Sequence, residues 1–324
     1  MPLDCVCFSL IIDDVVLPDG TTHMGLLGGG GPQTLFGYQL QTGQQACVGL
    51  AAGVGADLPQ ACRAWLQKLG VDVKGLRLTD RPTPRAWQVC ENDGRRTQVW
   101  RMEPSPELYR MLRPEIADLP PHFLASRAYI MGVHPERLPL HVLHQLRPRA
   151  HEFGGCLMLE TFTHASSQLT RESLQHLMAA CDIFSPNHHE AQSMLGSGAP
   201  LGLCCELLRH GRGDGPKVVV MRCGAEGSVV ARSDGSGRAA EAWSIPAFTD
   251  IDVVDVTGCG DAYCGAFMAA WQAEQELGNA GAWGSVAGSF LAECHGVPPQ
   301  PAVALYQKAR ERFAAVKQQI KRLI

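Results

Sequence analysis

Aromatic side chains make up only 6% of the 324 residues and charged side chains only 19%. So little charge excludes a disordered chain, and a hydrophobic fraction of 45% is enough for a sizeable core. No cluster of Lys and Arg occurs, and 28 basic against 32 acidic residues leave a formal charge of −4. That argues against nucleic acid as a partner, because binding a phosphate backbone needs a basic face. No apolar run approaches the roughly 18–20 residues of a membrane span. The first residues lack a basic region and carry Asp4, Asp13 and Asp14, so a secretory signal is not expected. The 13 cysteines are odd in number and include no Cys-x-x-Cys pair, which speaks against a disulfide framework and against structural zinc. Strand alternation would place Cys5 and Cys7 on one face, as core. A cytoplasmic, globular protein is expected.

What is present is an alternation of apolar strand-like runs with helical stretches, the pattern of a parallel sheet covered by helices. The runs are Val6–Val16, Ala128–Val133, Cys156–Leu159, Asp182–Ser185 and Lys217–Arg222, with a helix expected over Leu169–Ala180. From about Val71 to Met102 the segments are shorter and broken by Pro82, Pro84 and Asn92-Asp93-Gly94, and Asp-Gly between alternating segments signals a hairpin. Pro18-Asp19-Gly20 marks a second turn. These pieces, about 15–30 and 71–102, read as a small β-structure set apart from the main sheet within one domain spanning 1–324. The tail Pro301–Ile324 reads as one amphipathic helix.

The most informative segment is Asp252-Val-Val-Asp255-Val-Thr257-Gly258-Cys259-Gly260-Asp261. It predicts an apolar strand entering a Gly-x-Gly turn and then a long helix of small residues. Backbone amides at such a turn, with a helix N-terminus behind them, form an anion hole suited to phosphate. Asp261 would stand beside that hole, either as a dipole partner of the helix or as a general base. Cys259 reads either as an activated thiol at a helix start or as a filler of an alanine-sized site. A run Gly28-Gly-Gly-Gly31-Pro-Gln-Thr34 points to a hinge or a close ligand approach rather than to an idle loop, because four glycines in a row are costly to order. Asn187-His-His-Glu190 is either a capping box or a pair of oxygen ligands directed at Mg²⁺ or its waters. Arg222-Cys-Gly224-Ala-Glu226-Gly227 closes a strand. No Gly-x-x-x-x-Gly-Lys-Ser/Thr is present, and no Gly-x-Gly-x-x-Gly follows the first strand, which sets aside P-loop and dinucleotide folds.

Taken in order, these pieces resemble the PfkB/ribokinase family of small-molecule kinases. Asp255-Val-Thr-Gly-Cys-Gly-Asp261 is similar to that family's Asp-Thr-x-Gly-Ala-Gly-Asp signature, Asn187-x-x-Glu190 to its Asn-x-x-Glu motif, and Gly29-Gly30 to its di-glycine. Gly53-Val-Gly-Ala-Asp57 and Leu69-Gly-Val-Asp72 are similar to stretches leading into its lid. The resemblance implies a doubly wound, mostly parallel α/β domain with a small β lid, and transfer of the ATP γ-phosphate to an alcohol of a sugar, nucleoside or polyol. It implies Asp261 as base, with Gly258, Cys259 and Gly260 as the anion hole. Asp13, Gly29, Gly30 and Thr34 would hold the acceptor. Asn187, Arg222, Gly224, Glu226, Gly227 and Ser285 would lie along ATP. Asn187 and Glu190 would serve Mg²⁺, and Asp255 and Thr257 a monovalent cation such as K⁺ where such a loop is used. Two copies would pair through the lid, as family members often do. Thr34 stands where an Asn is usual, Glu160-Thr161-Phe162 replaces Asp-Pro-Asn, and Cys259 replaces Ala, so the acceptor stays unnamed. A catalytically weak nucleotide- or metabolite-binding protein on the same fold is the alternative reading.

Overall fold

The computed structural model describes residues 2–92, 96–211, 213 and 217–324. Fifteen strands alternate with ten α-helices among them: β1 (Cys5–Phe8), β2 (Ile11–Val16), β3 (Thr22–Gly28), α1 (Gly30–Gln41), β4 (Val48–Val54), α2 (Gln60–Lys68), β5 (Val71–Asp72), β6 (Leu76–Leu78), β7 (Arg85–Cys90) and β8 (Arg96–Trp100). Next come α3 (Pro106–Leu112), β9 (Ala128–Val133), α4 (Leu140–Glu152), β10 (Cys156–Thr161), α5 (Arg171–Ala179), β11 (Ile183–Ser185), α6 (His188–Leu195), α7 (Pro200–His210) and β12 (Val218–Arg222). The chain ends with β13 (Ser228–Ser233), β14 (Ala239–Ile245), α8 (Cys259–Glu274), α9 (Leu277–Ala292), α10 (Ala302–Lys317) and β15 (Lys321–Arg322).

An eleven-stranded sheet runs β15-β14-β13-β12-β11-β10-β9-β1-β4-β5, with β6 also on β4. The pairings from β12 through to β5 are parallel, and the β13–β15 edge is antiparallel. This is the doubly wound α/β arrangement, and helices cover both faces. In β1, Cys5 and Cys7 face the core formed with α1, α8, α9 and α10, while Val6 and Phe8 face the core formed with α4, α5 and α7. A parallel strand buried on both faces has to be apolar throughout, which is why these runs were visible in the sequence.

The apolar run Val6–Val16 is two strands, not one. The chain leaves the main sheet after Phe8, turns at Ser9 with φ at 78°, and enters a second sheet of four strands ordered β3-β2-β7-β8. The expected small β-structure therefore begins at Ile11. Its second part begins at Arg85, because Val71–Asp72 and Leu76–Leu78 pair with β4 of the main sheet. Pro82 and Pro84 mark the crossing between the sheets. Asp93 and Gly94 of the expected hairpin lie outside the described residues; β7 and β8 on either side are antiparallel. Two further expectations are corrected. Asp252–Val256 is a loop, not a strand, since its amides at Val254 and Asp255 bond to Ala292 O at the end of α9. The tail is not one helix: after α10 it turns and adds β15 to the sheet edge.

Inside the small sheet Asp14 is fully buried and anchors two arginines. Arg85 donates to it at 2.6 and 2.7 Å, Arg101 donates as well, and the Gly25 amide donates at 2.8 Å. Burial works against the Asp14 anion, but the bonds from Arg85, Gly25 and Arg101 outweigh it and lower its pKa. We expect Asp14→Asn to cost about 2–3 kcal/mol at neutral pH, a buried-pair loss reduced because both arginines are about one-third exposed. A lowered folded pKa means this stability is complete above the unfolded carboxylate range, roughly pH 4, and fades as pH falls through the folded value. Urea midpoints of both proteins should converge on acidification; a constant gap would contradict the assignment.

Candidate active site

The site is built where α1 and α8 cross. The crossing is close because small residues line it: a β-carbon added to Gly265 would fall 1.8 Å from Thr34 O, and one on Gly37 would fall 2.0 Å from Ala262 O. This contact brings the two glycine-rich helix starts together. The β-carbon position on Gly30 is 2.9 Å from Asp261 Oδ1 and 3.6 Å from Glu160 Oε1, so both carboxyls converge on the start of α1. Gly258 is the N-cap of α8 in the left-handed region, with φ at 79°, and Asp261 stands in the first turn. The first amides of any helix lack intrahelical partners; here that of Cys259 donates to Val256 O in the preceding turn at 3.3 Å.

Behind Asp261 lies a charged cluster. Glu160, at the end of β10, is buried and is hydrogen-bonded to Asp261. Burial, followed by the Asp261 charge, holds the Glu160 carboxyl well above the usual range, with Arg222 opposing in part. Two carboxyls facing one another disfavour ionisation of both, which is the second cause of the upward shift at Glu160. Arg222 Nη1 is 3.7 Å from Glu160, its Nη2 is 3.8 Å from Glu190, and it donates to Ser185 O at 2.8 Å. Burial alone would lower the Arg222 pKa; the acidic groups Cys264, Glu160, Glu190 and Asp261 outweigh it and raise it. A β-carbon on Gly260 would fall 1.9 Å from Arg222 Nη1, which sets the guanidinium against the start of α8.

Asn187 and Glu190 form a capping box. Asn187 Oδ1 accepts the Glu190 amide at 2.8 Å, and Glu190 Oε2 accepts the Asn187 amide at 2.8 Å and Thr161 Oγ1 at 2.6 Å. Burial raises the Glu190 pKa against the pull of Arg222. No cluster of three or more His, Cys, Asp or Glu able to hold a metal occurs among the described residues. With Oε2 already accepting from Asn187 and Thr161, Glu190 would have to reach Mg²⁺ through its other oxygen or through water. Asp255 Oδ2 and Thr257 Oγ1 are buried with no hydrogen-bond partner among the described residues, two oxygens that fit a hard monovalent cation. His295 Nδ1 lies 3.5 Å from Asp255.

The other expected residues are placed as follows. Asp13 is buried on β2, accepts from Gln88 Nε2 at 2.7 Å, and presses on Gly28. Gly29 caps α1 with φ at 80°. Thr34 is 1% exposed inside the α1–α8 contact, away from solvent. Ser285 donates to Pro246 O and accepts from the Phe248 amide, so its hydroxyl ties a loop to α9. Gly224, Ala225 and Glu226 form an exposed turn after β12, closed by Gly227 with φ at 91°. Cys259 is half-buried and packs on the core. In the sequence Glu160 stands out only as a departure from the family pattern, and nothing there points to Gln33, which lies in the first turn of α1 against Gly258. A carboxylate at the C-terminal end of a buried parallel strand was the available signal for the first.

A mostly parallel sheet with a site at the C-terminal ends of its strands and at two helix starts defines a ribokinase-like α/β protein. The fold agrees with ribokinase from Arabidopsis thaliana, solved with ribose and ATP, at a TM-score of 0.68 and 17% identity over 95% of this chain and 99% of that one. The chain belongs to the pfkB family of carbohydrate kinases, a family of phosphotransferases, whose model matches residues 4–302. It is 26% identical over 280 residues to a cytidine kinase of Thermococcus kodakarensis, covering 85% of this chain and 91% of that protein. Similarity to a nucleoside kinase of Methanothermobacter thermautotrophicus is 32% over 149 residues, 45% of this chain and 42% of that protein's length. Among the described residues no helix is long and apolar enough to cross a membrane.

Proposed function

We propose that the chain transfers the γ-phosphate of ATP to a hydroxymethyl group of a nucleoside, sugar or polyol. The observation that carries this reading is the convergence of Asp261 with the starts of α1 and α8. Asp261 would orient the acceptor hydroxyl and take its proton, while the amides of Gly258 and Gly260 receive the charge of the transferring phosphate, joined by that of Cys259 once it leaves Val256 O. Asp13, Gly29 and Gly30 would hold the acceptor between the small sheet and α1, and the small sheet would close as a lid that excludes water. Arg222 and Asn187 would face the phosphates, and Gly224, Glu226 and Gly227 would border the nucleotide. Mg²⁺, when bound with ATP, would neutralise phosphate charge, with Glu190 reaching it through water. Asp255 and Thr257 would hold K⁺. The similarity to nucleoside and cytidine kinases makes nucleosides the first acceptors to test.

The test is acceptor-dependent ADP release from Mg²⁺-ATP across nucleosides, sugars and polyols. Turnover on at least one class is expected. A folded protein that binds ATP yet turns over none of them would instead be a nucleotide-binding protein on this fold.

A further inference from the structure

We infer that Gln33 reads the transferring phosphate: its side-chain amide donates a hydrogen bond to the phosphoryl group held at the start of α8. The inference rests on the kinase reading above. Gln33 lies in the first turn of α1 and is only 2% exposed. Its Nε2 is shut off from solvent and has no hydrogen-bond partner among the described residues. The carboxamide lies against Gly258, where an added β-carbon would fall 2.1 Å from Cδ, 2.2 Å from Nε2 and 2.4 Å from Oε1.

Gly258 is also the residue that caps α8, so the orphan donor adjoins the backbone amides of that helix start. A buried amide hydrogen left without an acceptor is costly, and native structures keep such groups mainly where a ligand or water completes them. Beside a helix N-terminus the acceptor that fits is an anionic oxygen. Glycine suits position 258, since its φ is left-handed, which L side chains rarely adopt, and a β-carbon there would press on the carboxamide. Gln33 and Gly258 thus form a matched pair, one bringing a donor and the other making room for it. If Gln33 were packing alone, an apolar side chain of equal length would serve as well.

Gln33→Met and Gln33→Glu separate these roles. Titration calorimetry with Mg²⁺-ATP and Mg²⁺-ADP, together with melts of the free proteins, would be measured on wild type and both variants. Gln33→Met should melt at or above the wild-type temperature, because the unmet donor is gone. Its ATP dissociation constant should rise roughly ten- to hundredfold, the range for a hydrogen bond to a charged acceptor, while that for ADP stays within about twofold. Gln33→Glu keeps the size but only accepts, so its loss for ATP should be at least as large; it decides the matter should the Met variant fail to fold. Unchanged ATP affinity, or equal losses for ATP and ADP, would overturn the inference. If the wild type binds no nucleotide the kinase reading falls, and inorganic phosphate becomes the probe. Phosphate binding lost in Gln33→Met would still support the donor role; phosphate binding unchanged in the variant, or absent in wild type, would overturn it.

Discussion

Asp261→Asn is expected to lower kcat by roughly 10²–10⁴-fold, the usual loss of a general base, with KM changing far less. The substitution preserves shape and leaves the N-cap, Gly258, untouched. What it removes is the carboxylate that meets Glu160 and the start of α1. Burial, then the Asp261 charge, pushes the Glu160 carboxyl up, and Asp261 is the one of the two that stands in the first turn of α8. Stability should change only by the few tenths to about 1 kcal/mol that an acidic residue contributes in a first helical turn. Affinity for ATP should hold or rise slightly, since one negative charge beside the γ-phosphate is gone. Steady-state kinetics on the acceptor found by the panel, with melts of both proteins, are the check. A folded Asp261→Asn that keeps most of its kcat would sink the mechanism.

Gly265→Ala should be severely destabilising, by about 3 kcal/mol or more, at the upper end of overpacking losses. The added carbon would meet Thr34 O at 1.8 Å, Thr34 C at 2.7 Å and Tyr38 N at 2.9 Å. All three are backbone atoms of α1, so no side chain can swing away and the helices must separate. Separation would also part Gly30 from Asp261, so activity should fall in whatever fraction remains folded. Gly202→Ala is the control: it lies inside α7 with nothing within 4 Å of the new carbon. There, ordinary helix propensity should stabilise by about 0.5–1 kcal/mol. Urea denaturation of the three proteins measures both signs at once. Equal midpoints for Gly265→Ala and wild type would mean that α1 and α8 are not in this contact.

The sequence by itself determined the parallel core and the start of α8. Ala128–Val133 is a strand with the bounds its apolar run suggested, and Cys156, Ile183 and Val218 each begin one at or beside the expected residue. Such runs are legible because a strand buried on both faces cannot hide its composition. The helix that starts at Cys259 was legible because Gly-x-Gly with small residues behind it has few other uses. Tertiary structure decided which sheet each strand joins. Hydrophobicity records that Val6–Val16 is buried but not against what, so the turn at Ser9 left no trace in the pattern. The valines before Thr257 looked like a strand yet form a loop, since they find the end of α9 rather than a strand edge. Only the fold could bring together Gln33 with Gly258, Glu160 with Asp261, and Arg222 with Glu190, because each pair meets through packing between elements far apart in the chain. Local propensity carries no information about such meetings; the small residues of the α1–α8 crossing and the order of strands in the sheet do.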